Sequence, residues 1–241
     1  MSELLEYFDH LYVINLPSRT DRRLQITNEL ETHHLPLSSG KITIFPAVRP
    51  DQADGWPSVG AKGCFLSHHA VFQDALKRGF EKIVVIEDDL KLVDHFSTSI
   101  GQVIGALQAI SDWGIVYFGH AKELQNERGV LQRYEQPLQL AHFVGYSAAV
   151  LRQLVPFLEE ITKRPPGDPA GGPMHVDGAY SWFRRQHPEV HTYLAAPSLG
   201  YQRTSLSDIT PPSLVQKHPL LRHLVQPLYQ LKGFLIGRTK R

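Results

Sequence analysis

Cysteine is all but missing: Cys64 is the single one in 241 residues, so no intramolecular disulfide can form. That absence suits a reducing compartment. Long apolar runs are missing too, and nothing approaches the roughly 18–20 residues of a membrane-spanning helix. The opening MSELLEYFDH carries acids where a secretory signal would carry an apolar stretch. The expectation is a cytoplasmic protein, free or peripheral on the inner face of a membrane. Net charge is also lacking. With 25 Lys and Arg against 24 Asp and Glu, the chain has no general attraction for nucleic acid. The patterns G-x-x-x-x-G-K-[ST], G-x-G-x-x-G, G-x-S-x-G and H-E-x-x-H do not occur. Simple ATPase, dehydrogenase, α/β-hydrolase and zincin assignments are therefore unsupported.

The charge balance hides an asymmetry. Residues 209–241 hold six Lys and Arg and no acid, which leaves 19 bases against 24 acids in 1–208. Length and a hydrophobic content of 42% suit one α/β domain, expected over 1–213, with a separate basic segment at 214–241. In that segment Leu220, Leu221, Leu224, Val225, Leu228, Leu231 and Leu235 fall near helical spacing among Lys217, Arg222, Lys232 and Arg238. Such a pattern docks on anionic membrane or packs as a terminal helix, and Pro227 interrupts it.

Short apolar, β-branched runs at 11–16 and 83–86 read as buried strands, with further strands at 41–48, 114–119, 143 onward and 190–195. Ser18 with Asp21 reads as a capping box that opens a helix to about residue 33. Helical spacing recurs over 63–78, 97–110, 150–163 and 175–186. Residues 164–173, RPPGDPAGGP, form a breaker-rich loop of the kind that serves as a lid. Alternating strands and helices predict a Rossmann-like, mostly parallel sheet flanked by helices, in a single domain.

The chemistry concentrates after the second of those buried runs. IVVI is followed at once by Glu87, Asp88 and Asp89, and ligands in open α/β sheets gather beyond the carboxyl ends of strands. Three adjacent carboxylates repel unless a cation offsets them; Mn²⁺ or Mg²⁺ would do so and bridge to phosphate. The alternative is a solvated acidic turn. Arg19, Arg22 and Arg23 sit at a helix N-terminus, where cations oppose the dipole but an anion is welcome. Gln202 and Arg203 lie in a polar stretch able to grip phosphate or sugar. Asp177 follows the 164–173 loop, as a general base or a helix cap. Of His68 and His69, only one can face the core. No second His or Cys is read at zinc spacing, so a structural role is expected for it. His120 ends a strand, as a ligand contact or a surface residue.

Taken in order, YVINLPSRTDRR, GAKGCFLSHHAVF, IVVIEDD, WGIVYFG, VGYSAAVL, HVDGAY and PSLGYQRTSLSDI resemble glycosyltransferase family 25 over residues 11–209. That family includes lipopolysaccharide-type and collagen galactosyltransferases. The resemblance implies a GT-A-like fold, a UDP-sugar donor, a divalent metal and inverting transfer. By it, Glu87, Asp88 and Asp89 match the metal and donor motif, and Asn15, Arg19 and Arg23 the amino-terminal donor segment. Ser67 and His68 match a Ser-His element, and Asp177 the acid after the loop. Ala61-Lys62 and Gly178 depart from the acids usual in the pattern. The expected function is metal-dependent transfer of a hexose to an acceptor hydroxyl of a saccharide or glycolipid, in lipopolysaccharide or other surface glycan synthesis. The alternatives are a metal-dependent nucleotidyltransferase and a non-catalytic sugar-binding protein.

Overall fold

The computed structural model describes residues 2–122, 124 and 129–203. The fold is the compact unit Met1–Gln202. The expected boundary at 213 and the basic segment 214–241 lie outside the described residues.

After a short helix α1 (Glu3–Tyr7) the chain runs β1 (His10–Asn15), α2 (Thr20–Thr32), β2 (Ile42–Pro46), α3 (Val59–Lys77), β3 (Lys82–Glu87) and β4 (Leu90–Leu92). It continues through α4 (Phe96–Gln108), β5 (Trp113–Tyr117), β6 (Leu131–Arg133), β7 (Phe143–Ser147) and α5 (Ala148–Lys163). The last described elements are α6 (Val176–Gln186), β8 (His191–Ala195) and β9 (Gly200–Gln202). Seven strands form one sheet in the order β2-β1-β3-β7-β5-β8-β6, and β4 pairs with β9 in a separate ribbon. Five of the seven strands run one way, and β7 and β6 run against them. The sheet is thus mixed and flanked by helices, as expected, with an antiparallel strand between β3 and β5.

Period-two alternation along the central strands divides the core. Tyr12, Ile14, Ile83 and Val85 face α3, α5 and α6, whereas Leu11, Val13, Val84 and Ile86 face α1, α2 and α4. Residues 83–86 are fully buried, and each such side chain is worth roughly 1.5–3 kcal/mol. From β1 the chain crosses to β2 over one face through α2, and from β2 it passes back to β3 over the other face through α3, so the two connections diverge around β1.

Two starts differ from the sequence reading. Ser18 caps nothing: α2 begins after Arg19, with no side-chain cap bond, and Arg19 pairs with Asp21 instead. Helix α3 begins four residues earlier than expected, because the Ser58 side chain accepts from Ala61 N. Gly63 within α3 is obligatory, since a Cβ there would stand 2.7 Å from the Val48 carbonyl oxygen. The 164–173 loop is closed on itself by Arg164, which donates to the Ala170 and Gly171 carbonyls.

Candidate active site at the ends of β1 and β3

Glu87, Asp88 and Asp89 are consecutive, yet their carboxylates enter three environments. Neighbouring side chains at a strand end point to opposite sides. Asp88 turns toward α2, where its Oδ2 accepts from Asn15 Nδ2 at 2.7 Å and its Oδ1 from Arg22 Nη1 at 3.0 Å. Glu87 turns toward α3. Its Oε1 lies 3.3 Å from His68 Nε2 and 3.7 Å from Cys64 Sγ, and its Oε2 accepts from Gln202 Nε2 at 3.0 Å. Asp89 makes a long ion pair, 3.8 Å from Arg22 Nη1 to Oδ2, and among the described residues its buried Oδ1 has no hydrogen-bond partner.

The charges respond accordingly. Burial works against ionised Glu87, but the hydrogen bond and charge of His68, with His142 and Gln202, outweigh it and hold the carboxyl below its usual range. Burial raises Asp88 against the opposing pull of Asn15 and Arg22. Asp89 is pushed up to about 7, first by burial and then by the Glu87 charge, with Arg22 opposing. Burial, then the neighbouring Glu87 charge, push the Cys64 thiol up as well.

The arginine that pairs with both aspartates is Arg22, whereas the family resemblance points to Arg19 and Arg23. Helix α2 buries Arg22, Ile26, Glu29 and Leu30 on one face. Arg23 falls on the exposed side, and Arg19 forms its ion pair with Asp21. Asn15, 2% exposed, also donates to the Arg19 carbonyl and so shapes the turn into α2.

Ser67 faces away from the acids. Its fully buried hydroxyl donates to Gly63 O at 2.6 Å and accepts from Val48 N at 2.8 Å, which pins the loop after β2 to α3. His68 is the inward member of its pair: Nδ1 lies 2.9 Å from the Tyr180 hydroxyl, so it links α3, α6 and β3. His69 reaches Glu159 on α5 instead. Asp177 stands in the first turn of α6 rather than at its cap, which is His175. Its oxygens accept from Leu140 N and Gly178 N, holding the left-handed turn at Leu140 ahead of β7. His120 spends its ring nitrogens on the backbone of Ala195 and Lys122. The β4–β9 register sets Gln202 opposite Leu90 and so beside Glu87. Arg203 directly follows β9 and is the last described residue.

Among the described residues, two places could take a cation. Asp89 offers a buried carboxylate oxygen with no partner, beside two more acids, a fit for a hard divalent ion. Cys64, His68 and Glu87 bring three donor atoms within 4.8 Å of one another. The sequence reading found no second ligand for His68. Cys64, one helical turn earlier on the same face, offers a donor atom beside it, at the i, i+4 spacing that places two side chains together on a helix.

Residues 8–140 match the model of Glycosyltransferase family 25 (LPS biosynthesis protein). Procollagen galactosyltransferase 2 of Homo sapiens is 30% identical over 132 residues, which cover 48% of this chain and 21% of that protein. Inactive glycosyltransferase 25 family member 3 of Mus musculus is 25% identical over 141 residues, covering 51% of this chain and 24% of its own. The chain therefore matches less than a quarter of the length of either relative. Among solved structures, a glycosyltransferase involved in the glycosylation of the major capsid of PBCV-1 aligns over 78% of this chain and 92% of its own, with a TM-score of 0.41 and 11% identity. The matched region takes in β1 with Asn15, α2 with Arg22, the Cys64–His68 turn of α3 and the whole acidic turn, and on that match this chain belongs to glycosyltransferase family 25.

Proposed function

We propose that this chain transfers a hexose, galactose in the first instance, from a UDP-sugar to an acceptor hydroxyl with the help of a divalent cation, Mn²⁺ or Mg²⁺. The observation that carries this reading is the Asp89 carboxylate: buried, raised to about 7 and with one oxygen unpartnered, beside Arg22 where β1 and β3 end. A buried acid in that state is relieved by a positive ion. Asp89 would be the principal ligand, with Asp88 and Glu87 contributing charge. When bound, the ion neutralises the diphosphate that leaves the sugar.

The protein groups have separate tasks in this scheme. Arg22 offsets part of the burial penalty on ionised Asp88 and stands ready for a phosphate oxygen. Asn15 holds the β1 end against the acidic turn, and Gln202 orients Glu87. Arg19, Arg23 and Arg203 add positive charge toward the donor. Asp177 takes the proton from the acceptor hydroxyl as it attacks the anomeric carbon, and a single displacement of this kind inverts configuration. The acceptor is a saccharide or glycolipid of a surface glycan such as lipopolysaccharide, met at the cytoplasmic face of a membrane to which 214–241 docks.

A second reading has one observation in its favour. Glu87 and Asp88 have all four oxygens occupied by protein groups, as a retained but non-catalytic sugar-binding fold would allow. One experiment separates the two. Thermal shift with UDP and UDP-sugars, with and without Mn²⁺, is followed by a transfer or donor-hydrolysis assay. Metal-dependent stabilisation with turnover supports the enzyme. Binding without turnover supports the second reading, and no binding rejects both.

A further inference from the structure

We propose that Cys64, His68 and Glu87 form a second metal site, separate from Asp89, that takes a soft divalent cation of the Zn²⁺ class. Cys64 and His68 stand four residues apart on α3, so their side chains leave the helix on one face. Glu87 meets them from the end of β3. Sγ of Cys64 lies 3.7 Å, and Nε2 of His68 3.3 Å, from the same Glu87 oxygen. All three donor atoms fall within 4.8 Å of one another. Bond lengths of about 2.3 Å to sulfur and about 2.0–2.1 Å to nitrogen or oxygen put tetrahedral neighbours roughly 3.3–3.6 Å apart. Two edges of that tetrahedron are therefore close to their final length, and a side-chain rotation closes the third.

The donor set selects the ion. A thiolate and an imidazole favour Zn²⁺ over Mg²⁺ or Mn²⁺, whose preferred partners are carboxylates and water. The groups behind the donors are those a bound ion requires. With Nε2 on the ion, the His68 ring carries its proton on Nδ1, and the Tyr180 hydroxyl 2.9 Å away accepts it. Gln202 Nε2 donates to the other Glu87 oxygen at 3.0 Å, which turns Oε1 toward the ion. Cys64 and Glu87 are partly exposed, so the donor atoms are not sealed from solvent. On binding, the Sγ–H bond breaks, the sulfur–metal bond forms, and the proton passes to solvent. The ion would clamp α3 to the acidic turn and hold Glu87 in place beside Asp89.

Because Cys64 is the only cysteine, the test is direct. Co²⁺ is titrated into the full chain after chelator treatment and followed by absorption. The expected result is a thiolate-to-Co²⁺ charge-transfer band in the near ultraviolet that saturates at one ion per chain and is bleached by Zn²⁺. Tyr180→Phe should raise the Co²⁺ concentration for half-saturation about tenfold. Asp89→Ala should leave the band in place, and Cys64→Ser, checked for folding by its melting curve, should lose the band. No band in the wild-type chain overturns the proposal whether or not any variant folds. So does a band that survives Cys64→Ser or disappears in folded Asp89→Ala. Sugar transfer plays no part in the readout, so this site stands or falls apart from the proposed reaction.

Discussion

Asn15 and Asp88, 73 positions apart in the chain, share a 2.7 Å hydrogen bond that joins the end of β1 to the acidic turn after β3. With Arg22 on the other oxygen of Asp88, this bond makes Asp88 the anchored member of the three acids and leaves Asp89 as the one with an open oxygen. The division of labour among consecutive carboxylates leads to distinct consequences for each.

Removing Arg22 should be costly to the fold. Its pair with Asp88 is nearly buried, at 11% and 9% side-chain exposure, and deleting one partner strands a buried carboxylate. Arg22→Ala should lower unfolding free energy by about 3 kcal/mol, read by urea denaturation. Arg23→Ala, on the exposed side of α2, should change it by less than about 0.5 kcal/mol. Equal losses in the two variants would refute the assignment of Arg22 as the structural partner of the acids.

Asp89 should make stability fall with rising pH when no cation is present. Its folded pKa of about 7 lies above the ordinary 3.8, so below about pH 4 both states bind the proton and no penalty exists. Between about pH 4 and pH 7 only the folded state holds the proton, and the advantage it confers at low pH is lost as pH climbs through that window. Asp89→Asn should flatten the profile in EDTA and raise the melting temperature at pH 8. Mn²⁺ should flatten it in the wild-type chain. The same variant should lower transfer by ~10²–10³. A pH profile identical in wild type and variant would remove the basis for a cation at Asp89.

Asp177 can be tested by splitting rate from stability. As general base, its loss in Asp177→Asn should cost ~10²–10⁴ in kcat with a modest drop in melting temperature. Were its task only to hold the Leu140 turn through the 3.1 Å bond to Leu140 N, stability would fall and kcat of the folded fraction would stay.

The basic segment 214–241 should carry membrane binding. In sedimentation with anionic vesicles, the full chain should pellet and a version ending at Ser213 should stay in the supernatant, with added salt reducing the difference. Equal partitioning of the two would reject docking through this segment.

Much of this layout could be read along the chain, and some of it could not. The apolar runs of β1 and β3, the helical spacing of α3 and the acidic turn at a strand end are local patterns. Each depends on residues within one or two turns of each other. Burial of 83–86 on both faces follows from an unbroken apolar run, which suits a central strand. The antiparallel insertion of β7 beside β3 was not visible, because pairing Lys82 with Ser147 depends on how the whole chain returns. Nor was the choice among three arginines. All share composition and neighbourhood, and only the packing of Ile26 and Leu30 beneath the sheet rotates Arg22 inward.

Composition and periodicity by themselves determined the α/β class, the central strands and the place where carboxylates would gather, because backbone pleat and apolar burial act over short spans. Tertiary structure alone decided which group answers each carboxylate. Gln202 reaches Glu87 across 115 positions, Asn15 reaches Asp88 across 73, and Cys64 and His68 meet Glu87 from a different element. Side-chain charges are settled by such distant partners and by the water they exclude, and neither is written in any local stretch of the chain.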